Sequence, residues 1–250
     1  MKKTVNAALL SALLAFGASG STAALADDAK TGFTRSEIED IVKDYLLRNP
    51  EILLQVQVAL QTKQEEAQRQ AARDAISLNA EELFHAADDA VIGNPEGDVT
   101  VVEFFDYNCG FCRRALADMD NLVSKDKNLR FVLKEFPILS EDSHKAHVVA
   151  IAVNLIAPEK YAEFHRKLLG SNERATEDSA IKVATSLGVD EKELRKAMQD
   201  PRVDQKLRSN YQLAEQLQLS GTPGYVIGNE IVPGAMGEEF LREKIAAVRQ

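Results

Sequence analysis

The chain has 250 residues, of which 45% are hydrophobic, and a formal net charge of −9. This length suits one good-sized domain with an additional segment. The acidic balance argues against nucleic acid and anionic lipid as partners, because both carry negative charge.

The first residues have the order of a secretory signal. A basic start, "MKK", is followed by an apolar run to about Gly17 and by an A-x-A site, Ala24-Leu25-Ala26. The run is shorter than the roughly 20 residues that cross a bilayer. We therefore expect residues 1–26 to be cleaved as a signal peptide, which takes two lysines from the chain and moves its charge from −9 to −11. The expected location is the bacterial periplasm, where disulfides persist.

Residues 27–88 are predicted to form a separate helical region. The stretch Thr34-Arg35-Ser36-Glu37 is a capping-box pattern, and apolar residues at helical spacing follow it. Asn49-Pro50 ends this first helix and begins a second, at about residues 50–85, with an apolar stripe from Leu53 to Leu78. The stripe requires a cover, either the rest of the same chain or further copies of it.

The character of the sequence changes from residue 89 onward. "VTVVEFF" (99–105) and "LRFVLKEFPIL" (129–139) are predicted strands, and a helical pattern lies between them. A helical insert occupies about residues 141–219, then "GTPGYVIGNEIVPG" predicts two strands around a Gly228-Asn229 turn. The last predicted helix covers about 238–248. This order predicts an α/β thioredoxin fold with a helical insertion over 89–250.

The only two cysteines of the chain, Cys109 and Cys112, lie where the first predicted strand gives way to a helix. A disulfide between them closes only four residues, so as a structural bond it would add about 2 kcal/mol at best. A helix N-terminus stabilises a thiolate, and the thiolate is the nucleophile in disulfide exchange. We therefore predict Cys109 as the attacking thiol and Cys112, one turn later, as the resolving thiol. Together they form the redox disulfide.

One acidic residue, Glu103, lies within the apolar strand. A desolvated carboxyl has a raised pKa and can relay protons, so we predict a catalytic role for Glu103. A solvent-facing position at the strand end is the alternative. The polar residues around the cysteine pair, by contrast, are expected at the rim or in solvent: Asp106, Asn108, Arg113 and Arg114.

A distant proline completes the predicted site. Thr222-Pro223 opens a strand within "GTPGYVI", and thioredoxin-like folds place a cis proline there, facing the cysteines. The backbone beside it can pair with an extended peptide. An ordinary trans proline in a turn is the alternative. We expect Thr222 and Pro223, with Gly110 and Phe111 between the cysteines, to contact the substrate.

Metal binding is the rival chemistry for the cysteine pair. A Cys-x-x-Cys is half of a zinc site, and no second cysteine pair completes it. His144 and His147 are expected to face solvent on a helix. We therefore expect no metal and no cofactor, although copper(I) on the two thiolates stays open.

The segments "VVEFFDYNCGFC", "LKEFPIL" and "GTPGYVIG" resemble the DsbA-like thioredoxin family of periplasmic thiol–disulfide oxidoreductases over about residues 90–250. The resemblance implies that Cys109 is the nucleophile, Cys112 the resolving thiol and Glu103 the buried acid. It also makes Pro223 the cis proline, preceded by Thr222.

The N-terminal stretch "IVKDYLLRNPEILLQVQVALQ" is similar to suppressor-of-copper-sensitivity C proteins and outer-membrane-antigen Com proteins. That similarity implies a homo-oligomer, with a trimer favoured, and leaves outer-membrane association open. DsbA oxidases have a histidine before the second cysteine, where this chain has Phe111. The departure favours a disulfide isomerase or reductase over an oxidase.

Three functions therefore stay open from the sequence. The first is a disulfide isomerase or reductase that acts on cysteine-containing secreted proteins and is reset by a membrane thiol–disulfide partner. The second is a DsbA-like oxidase that introduces disulfides. The third, from a different class, is a copper-binding or copper-tolerance protein that uses the same cysteines.

Overall fold

The computed structural model describes residues 32–250, so the predicted signal peptide lies outside the described residues. The described residues divide into two compact units, the first ending at Gln57 and the second covering Val58–Gln250. The division falls inside a helix, which places the C-terminal part of that helix in the second unit.

The first unit contains the predicted capping box. Helix α1 (Arg35–Arg48) begins after Thr34, whose side chain accepts a hydrogen bond from the Glu37 N–H, while the Glu37 carboxylate accepts from the Thr34 N–H at 2.8 Å. Helix α2 (Glu51–Leu78) follows Asn49-Pro50, as predicted, and extends into the second unit.

The second unit is built on a five-stranded sheet with the order β1-β3-β2-β4-β5. The central strand β2 (Val99–Phe105) pairs in parallel with β3 (Leu129–Glu135) and antiparallel with β4 (Gly224–Ile227). Six of its seven residues are buried, since helices cover both faces. Strand β5 (Glu230–Pro233) returns beside β4 through the predicted Gly228-Asn229 turn, where Gly228 has φ +58°.

The edge strand β1 (Ala90–Gly93) is absent from the sequence prediction. It pairs antiparallel with β3, with Ala90 opposite Leu133. Four residues are too few to establish a period of two, and pairing with β3 decides their conformation.

Helices surround the sheet, and the predicted helical insert is confirmed between β3 and β4. Its members are α5 (Glu141–Ile156), α6 (Pro158–Leu169), α7 (Glu177–Ser186), α8 (Glu191–Ala197) and α9 (Pro201–Gln216). The remaining helices are α3 (Ala80–Phe84), α4 (Gly110–Lys125) and α10 (Glu238–Val248). None of the helices in residues 32–250 is both long and apolar enough to cross a membrane.

The C-terminal end of α2 belongs to the core of the second unit. Ile76 of α2 and Leu83 of α3 are buried in one apolar cluster with Val102, Phe104 and Val132 of the sheet. Each such side chain contributes about 1.5–3 kcal/mol on burial. The catalytic fold therefore requires the end of the N-terminal helical region.

Candidate active site

The two cysteines lie at the start of α4, as the sequence predicts. Strand β2 ends at Phe105, and a turn closed by a 3.0 Å hydrogen bond from the Cys109 N–H to the Asp106 carbonyl leads into the helix. Cys109 is the N-cap residue of α4, and its sulfur accepts from the Cys112 N–H at 3.5 Å. The unpaired N–H groups of the first helical turn therefore point at the Cys109 sulfur.

The environments of the two thiols differ. Hydrogen bonding from the Cys112 thiol, against the opposing effect of burial and with further help from Thr222 and backbone N–H groups, lowers the pKa of Cys109 from 9.0 to about 5. Burial raises the pKa of Cys112 far above its ordinary value, with further contributions from Cys109 and Glu103. Cys109 keeps 6% of its surface exposed and Cys112 none. Only Cys109 combines access with thiolate character.

The Thr222-Pro223 turn faces Cys109. The Thr222-Pro223 peptide bond is cis, as predicted, and the Thr222 carbonyl lies 3.2 Å from the Cys109 sulfur. Within the described residues, the Thr222 hydroxyl is buried without a hydrogen-bond partner. The contact brings the residues before β4 beside the Cys109 sulfur, although the two residues lie 113 positions apart in the sequence.

Exposed apolar side chains lie beside the cysteine turn. Phe111 is 57% exposed, with the Arg114 guanidinium 4.3 Å from its ring centroid. Leu139 is 52% exposed, and its N–H donates to the Asp106 carboxylate at 3.0 Å. Gly110 is exposed and has no atom within 4 Å of where a Cβ would stand. These residues offer an apolar surface around Cys109.

A groove of about 740 Å³ extends from the Thr222-Pro223 turn. One wall is the loop Gln216–Pro223 with the end of β5, and the other wall is the alanine face of α2, formed by Ala67, Ala71 and Ala75. Small side chains leave this space open. The groove therefore lies between the Thr222-Pro223 turn and the C-terminal part of α2.

Glu103 is buried, as predicted, at 3% exposure in the centre of β2. It stands opposite Tyr225 in the β2–β4 register. Burial raises the pKa of Glu103 to about 8, against a hydrogen bond from Tyr225 and with repulsion from Cys109 and Asp118. A carboxyl with this pKa can hold or accept a proton at neutral pH, and it interacts electrostatically with Cys112.

The prediction that Asp106 and Asn108 lie at the rim is wrong for Asp106, which is fully buried. Its carboxylate accepts from the Asn108 N–H at 2.8 Å, an Asx turn that the sequence "DYN" could have indicated. Asn108 is half-buried and donates to Ser143 at 3.0 Å and to the Ala175 carbonyl at 2.9 Å. Both side chains hold the cysteine turn.

The prediction that His147 faces solvent is also wrong, because His147 is fully buried while His144 is half-buried. The helix that carries them, α5, is apolar on nearly every side and lies inside the unit. In residues 32–250, no three His, Cys, Asp or Glu side chains come together in an arrangement suited to a metal ion.

Comparison with known proteins places this fold and site in a family. Residues 100–246 match the DSBA-like thioredoxin domain, which covers more than half of the chain. The chain belongs to the DSBA-like thioredoxin family. Residues 35–67 match a second domain, described as the copper resistance protein ScsC N-terminal domain. This DSBA-like protein therefore combines two matched domains.

Solved structures agree with the family. A thioredoxin-like oxidoreductase from Silicibacter pomeroyi DSS-3 is 40% identical, with a TM-score of 0.65, over 68% of this chain and 96% of that chain. The thiol-disulfide exchange protein alpha-DsbA2 from Wolbachia pipientis is 27% identical, with a TM-score of 0.68, over 73% of this chain and 98% of that chain. Family and structure together assign a role in thiol–disulfide exchange.

Two further relatives differ in how much of each chain is matched. Proteus mirabilis ScsC in a transitional conformation is 28% identical, with a TM-score of 0.65, over 85% of this chain and 95% of that chain. A curated Na(+)/H(+) antiporter NhaA 1 from Mycobacterium sp. (strain KMS) is 24% identical over 167 residues. The match spans 64% of this chain but only 27% of the antiporter.

Replacing Glu103 with glutamine is expected to stabilise the reduced DSBA-like protein at alkaline pH and to slow exchange. The raised pKa means that the folded state keeps a proton that the unfolded state releases, so stability falls as pH rises from 4.5 to about 8. Above about pH 8 this loss of stability amounts to roughly 5 kcal/mol. Glu103→Gln removes it, while loss of proton transfer slows exchange about tenfold or more.

Urea unfolding and disulfide exchange measured from pH 5 to pH 9 test this expectation. The control is Glu230→Gln, at an exposed carboxyl in β5. Equal slopes of stability against pH in wild type and Glu103→Gln, together with unchanged exchange, would show that Glu103 has neither role.

Proposed function

We propose that the protein is a periplasmic disulfide isomerase or reductase that acts on cysteines of secreted proteins. One observation supports isomerase or reductase activity over oxidase activity. Residues 35–67 match the ScsC N-terminal domain, and they precede the DSBA-like domain in the same chain. An isomerase must hold a misfolded client while its thiolate attacks. An N-terminal region that brings several sites together would raise their effective concentration.

The geometry supports a two-step exchange. The Cys109 thiolate attacks one sulfur of a client disulfide, a mixed disulfide forms, and the other client sulfur leaves as a thiolate. In isomerisation, another client thiolate then attacks the mixed disulfide and frees Cys109. In reduction, Cys112 loses its proton to Glu103 and attacks Cys109, so two electrons pass to the client and the Cys109–Cys112 disulfide forms. A membrane thiol–disulfide partner would return those electrons.

Self-association is the second part of the proposal. The apolar face of α1 is about half exposed in the single chain: Ile38 49%, Ile41 52%, Val42 51% and Tyr45 54%. An exposed apolar stripe of this kind is uncommon on monomers. The same residues begin the segment that matches the ScsC N-terminal domain. A further copy of this chain is the proposed cover, and a trimer is the proposed assembly.

The client is proposed to enter the groove beside the Thr222-Pro223 turn. A client chain whose cysteine is bonded to Cys109 must pass the Thr222 carbonyl, which lies 3.2 Å from that sulfur. The groove continues from this point to the alanine face of α2. An extended, weakly folded segment fits such a groove, and Phe111, which follows Cys109 by two residues and is 57% exposed, offers an apolar contact.

A DsbA-like oxidase is the second candidate, and the low pKa of Cys109 favours it. A thiol whose folded pKa is lowered to about 5 stabilises the reduced form above pH 5, and this stability is lost as pH falls through 5. At pH 7 the gain is about 3 kcal/mol. A stabilised reduced form makes the disulfide more oxidising.

A copper-handling role is the third candidate. It rests on the description of the matched N-terminal domain and on the two unpaired thiols at Cys109 and Cys112. Soft thiolates are suitable ligands for copper(I). Copper(I) titration of the reduced protein and of Cys112→Ser separates this role from exchange, because a copper site requires both sulfurs.

Trapping the cysteines in intact cells tests the direction of the reaction. Cells are acid-quenched, free thiols are alkylated, and the ratio of reduced to oxidised Cys109–Cys112 is measured. Isomerase or reductase function predicts a mainly reduced pair, because the attacking thiolate must be free. A mainly oxidised pair, unchanged when a membrane reductant is deleted, would favour the oxidase instead.

A further inference from the structure

A buried chain of hydrogen bonds connects β3 to the cysteine turn. The His147 ring of α5 lies between the Glu135 carboxylate, which meets its Nδ1, and the Tyr107 N–H, which donates to its Nε2 at 3.2 Å. The second Glu135 oxygen accepts from the Tyr161 hydroxyl. His147, Tyr107 and Tyr161 are at most 2% exposed, and Glu135 is 4% exposed.

The partners fix the protonation pattern of His147. A backbone N–H can only donate, so Nε2 must be the acceptor and the proton must reside on Nδ1. That proton is donated to the Glu135 carboxylate. Glu135 thereby orients the ring, and the ring in turn receives the Tyr107 amide, two residues before the nucleophile.

The other groups around His147 do not compete for these bonds. Tyr107 and His165 are joined by a 3.4 Å contact between the Tyr107 hydroxyl and His165 Nδ1. Burial, with repulsion from Arg166, lowers the pKa of His165 to about 3, so that its ring is neutral at physiological pH. The ring of Phe105 packs 5.2 Å from His147, between centroids. Glu135 is thus the acidic partner in this pocket.

We propose that Glu135 and His147 are positioning residues for the nucleophile, an inference that rests on the proposed exchange function. Neither touches the Cys109 sulfur. They act through the Tyr107 amide, which anchors the turn whose 3.0 Å bond from the Cys109 N–H to the Asp106 carbonyl starts α4. The turn sets how the Cys109 sulfur meets the N–H groups of the helix.

Loss of the anchor should therefore change the chemistry of Cys109. Without an acceptor, the Tyr107 N–H is a buried unsatisfied donor, and the turn must shift to find a partner. A shift lengthens the 3.5 Å bond from the Cys112 N–H to the Cys109 sulfur. The thiolate then loses stabilisation, and the pKa of Cys109 rises.

The test compares His147→Leu with His147→Gln in the reduced full-length mature protein. Leucine removes both polar contacts, whereas glutamine offers a carbonyl oxygen for the Tyr107 N–H and an amide donor for Glu135. Titration of the thiolate absorbance at 240 nm should show the pKa of Cys109 raised by about one unit in His147→Leu, which is a tenfold loss of thiolate at a fixed pH well below that pKa. In His147→Gln the pKa of Cys109 should return most of the way to its wild-type value.

A second variant keeps the test decisive if His147→Leu fails to fold. Glu135→Gln has nearly the same shape, but an NH2 group, which can only donate, replaces one of the two different oxygens that accept from Tyr161 and from His147. It too should raise the pKa of Cys109. Nitrogen-15 NMR of the wild-type protein should also find His147 neutral with its proton on Nδ1.

A stability control separates positioning from general damage. Val99→Ala leaves a cavity at the start of β2, the end of the strand away from the cysteine turn, and should lower the melting temperature without moving the pKa of Cys109. An unchanged Cys109 pKa in His147→Leu and Glu135→Gln, or an equal shift in Val99→Ala, would overturn the proposal. The pKa of Cys109 is measured without a client. A wild-type protein that lacks activity on clients would therefore contradict the proposed function, while the effect of His147 and Glu135 on this pKa would still stand.

Discussion

Replacing Cys109 with serine is expected to reduce thiol–disulfide exchange to the uncatalysed rate, whereas Cys112→Ser should accumulate mixed disulfides with client proteins. The hydroxyl of serine is not ionised at neutral pH and cannot exchange with a disulfide. In Cys112→Ser the attack by Cys109 still proceeds, but the chain has no second sulfur to resolve the bond, so that release depends on a client thiolate alone. Non-reducing gels of cell extracts after acid quenching measure the trapped species.

Selective alkylation gives the same assignment chemically. With the pKa of Cys109 at about 5 and that of Cys112 far above 9.0, iodoacetamide should label Cys109 alone at pH 7. The labelling rate should rise with pH through a midpoint near 5. Mass spectrometry locates the adduct, and Cys109→Ser serves as the unlabelled control. Preferential modification of Cys112, or trapping by Cys109→Ser instead, would reverse the assigned roles.

Charged substitutions on α1 are expected to convert an oligomer into a monomer. Ile41→Glu with Tyr45→Glu puts two carboxylates on the apolar face, and a buried unpaired charge costs several kcal/mol per copy. The monomer should still reduce small disulfides, because the second unit is untouched. It should lose most isomerase activity on a protein with scrambled disulfides, since the effective concentration of neighbouring sites is gone.

Ser36→Glu with Lys43→Glu is the matched control, because both lie on the opposite side of the same helix. Light scattering reports the mass of each variant, and scrambled-protein reactivation reports isomerase activity. A wild-type chain that is already monomeric would contradict self-association and move the oxidase ahead. An oligomer that keeps full isomerase activity after its dissociation would separate assembly from function.

The structure also decides how a truncation should be made. A chain that starts near Asp89 would lose Ile76 and Leu83, which are buried against Val102 and Phe104 of the sheet. Exposure of that face would confound any assay. A variant that starts at Val58 keeps the whole second unit and tests the N-terminal region more cleanly.

Much of the fold follows from local patterns. The capping box at Thr34, the strand before Cys109, the hairpin turn at Gly228 and the helical insert are each encoded within a short window, and the structure confirms all four. Strand β1 was not predicted because four residues are too few to show the alternation of a strand, and its pairing partner lies about forty residues later. Asp106 and His147 were predicted to be exposed because they are polar. Both are buried, and their hydrogen-bond partners lie in distant segments or in turn geometry that polarity does not indicate.

By itself the sequence determined the chemistry of this protein. Two cysteines three residues apart at a helix start, one acid in an apolar strand and a Thr-Pro before another strand specify a thiol–disulfide site through residue types and spacing. Only the tertiary structure decided what surrounds that chemistry. It brought the Thr222 carbonyl to 3.2 Å from Cys109 and placed His147 against the Tyr107 amide. The physical reason is that burial and hydrogen-bond partners come from packing between distant segments, and those partners set the pKa values on which exchange depends.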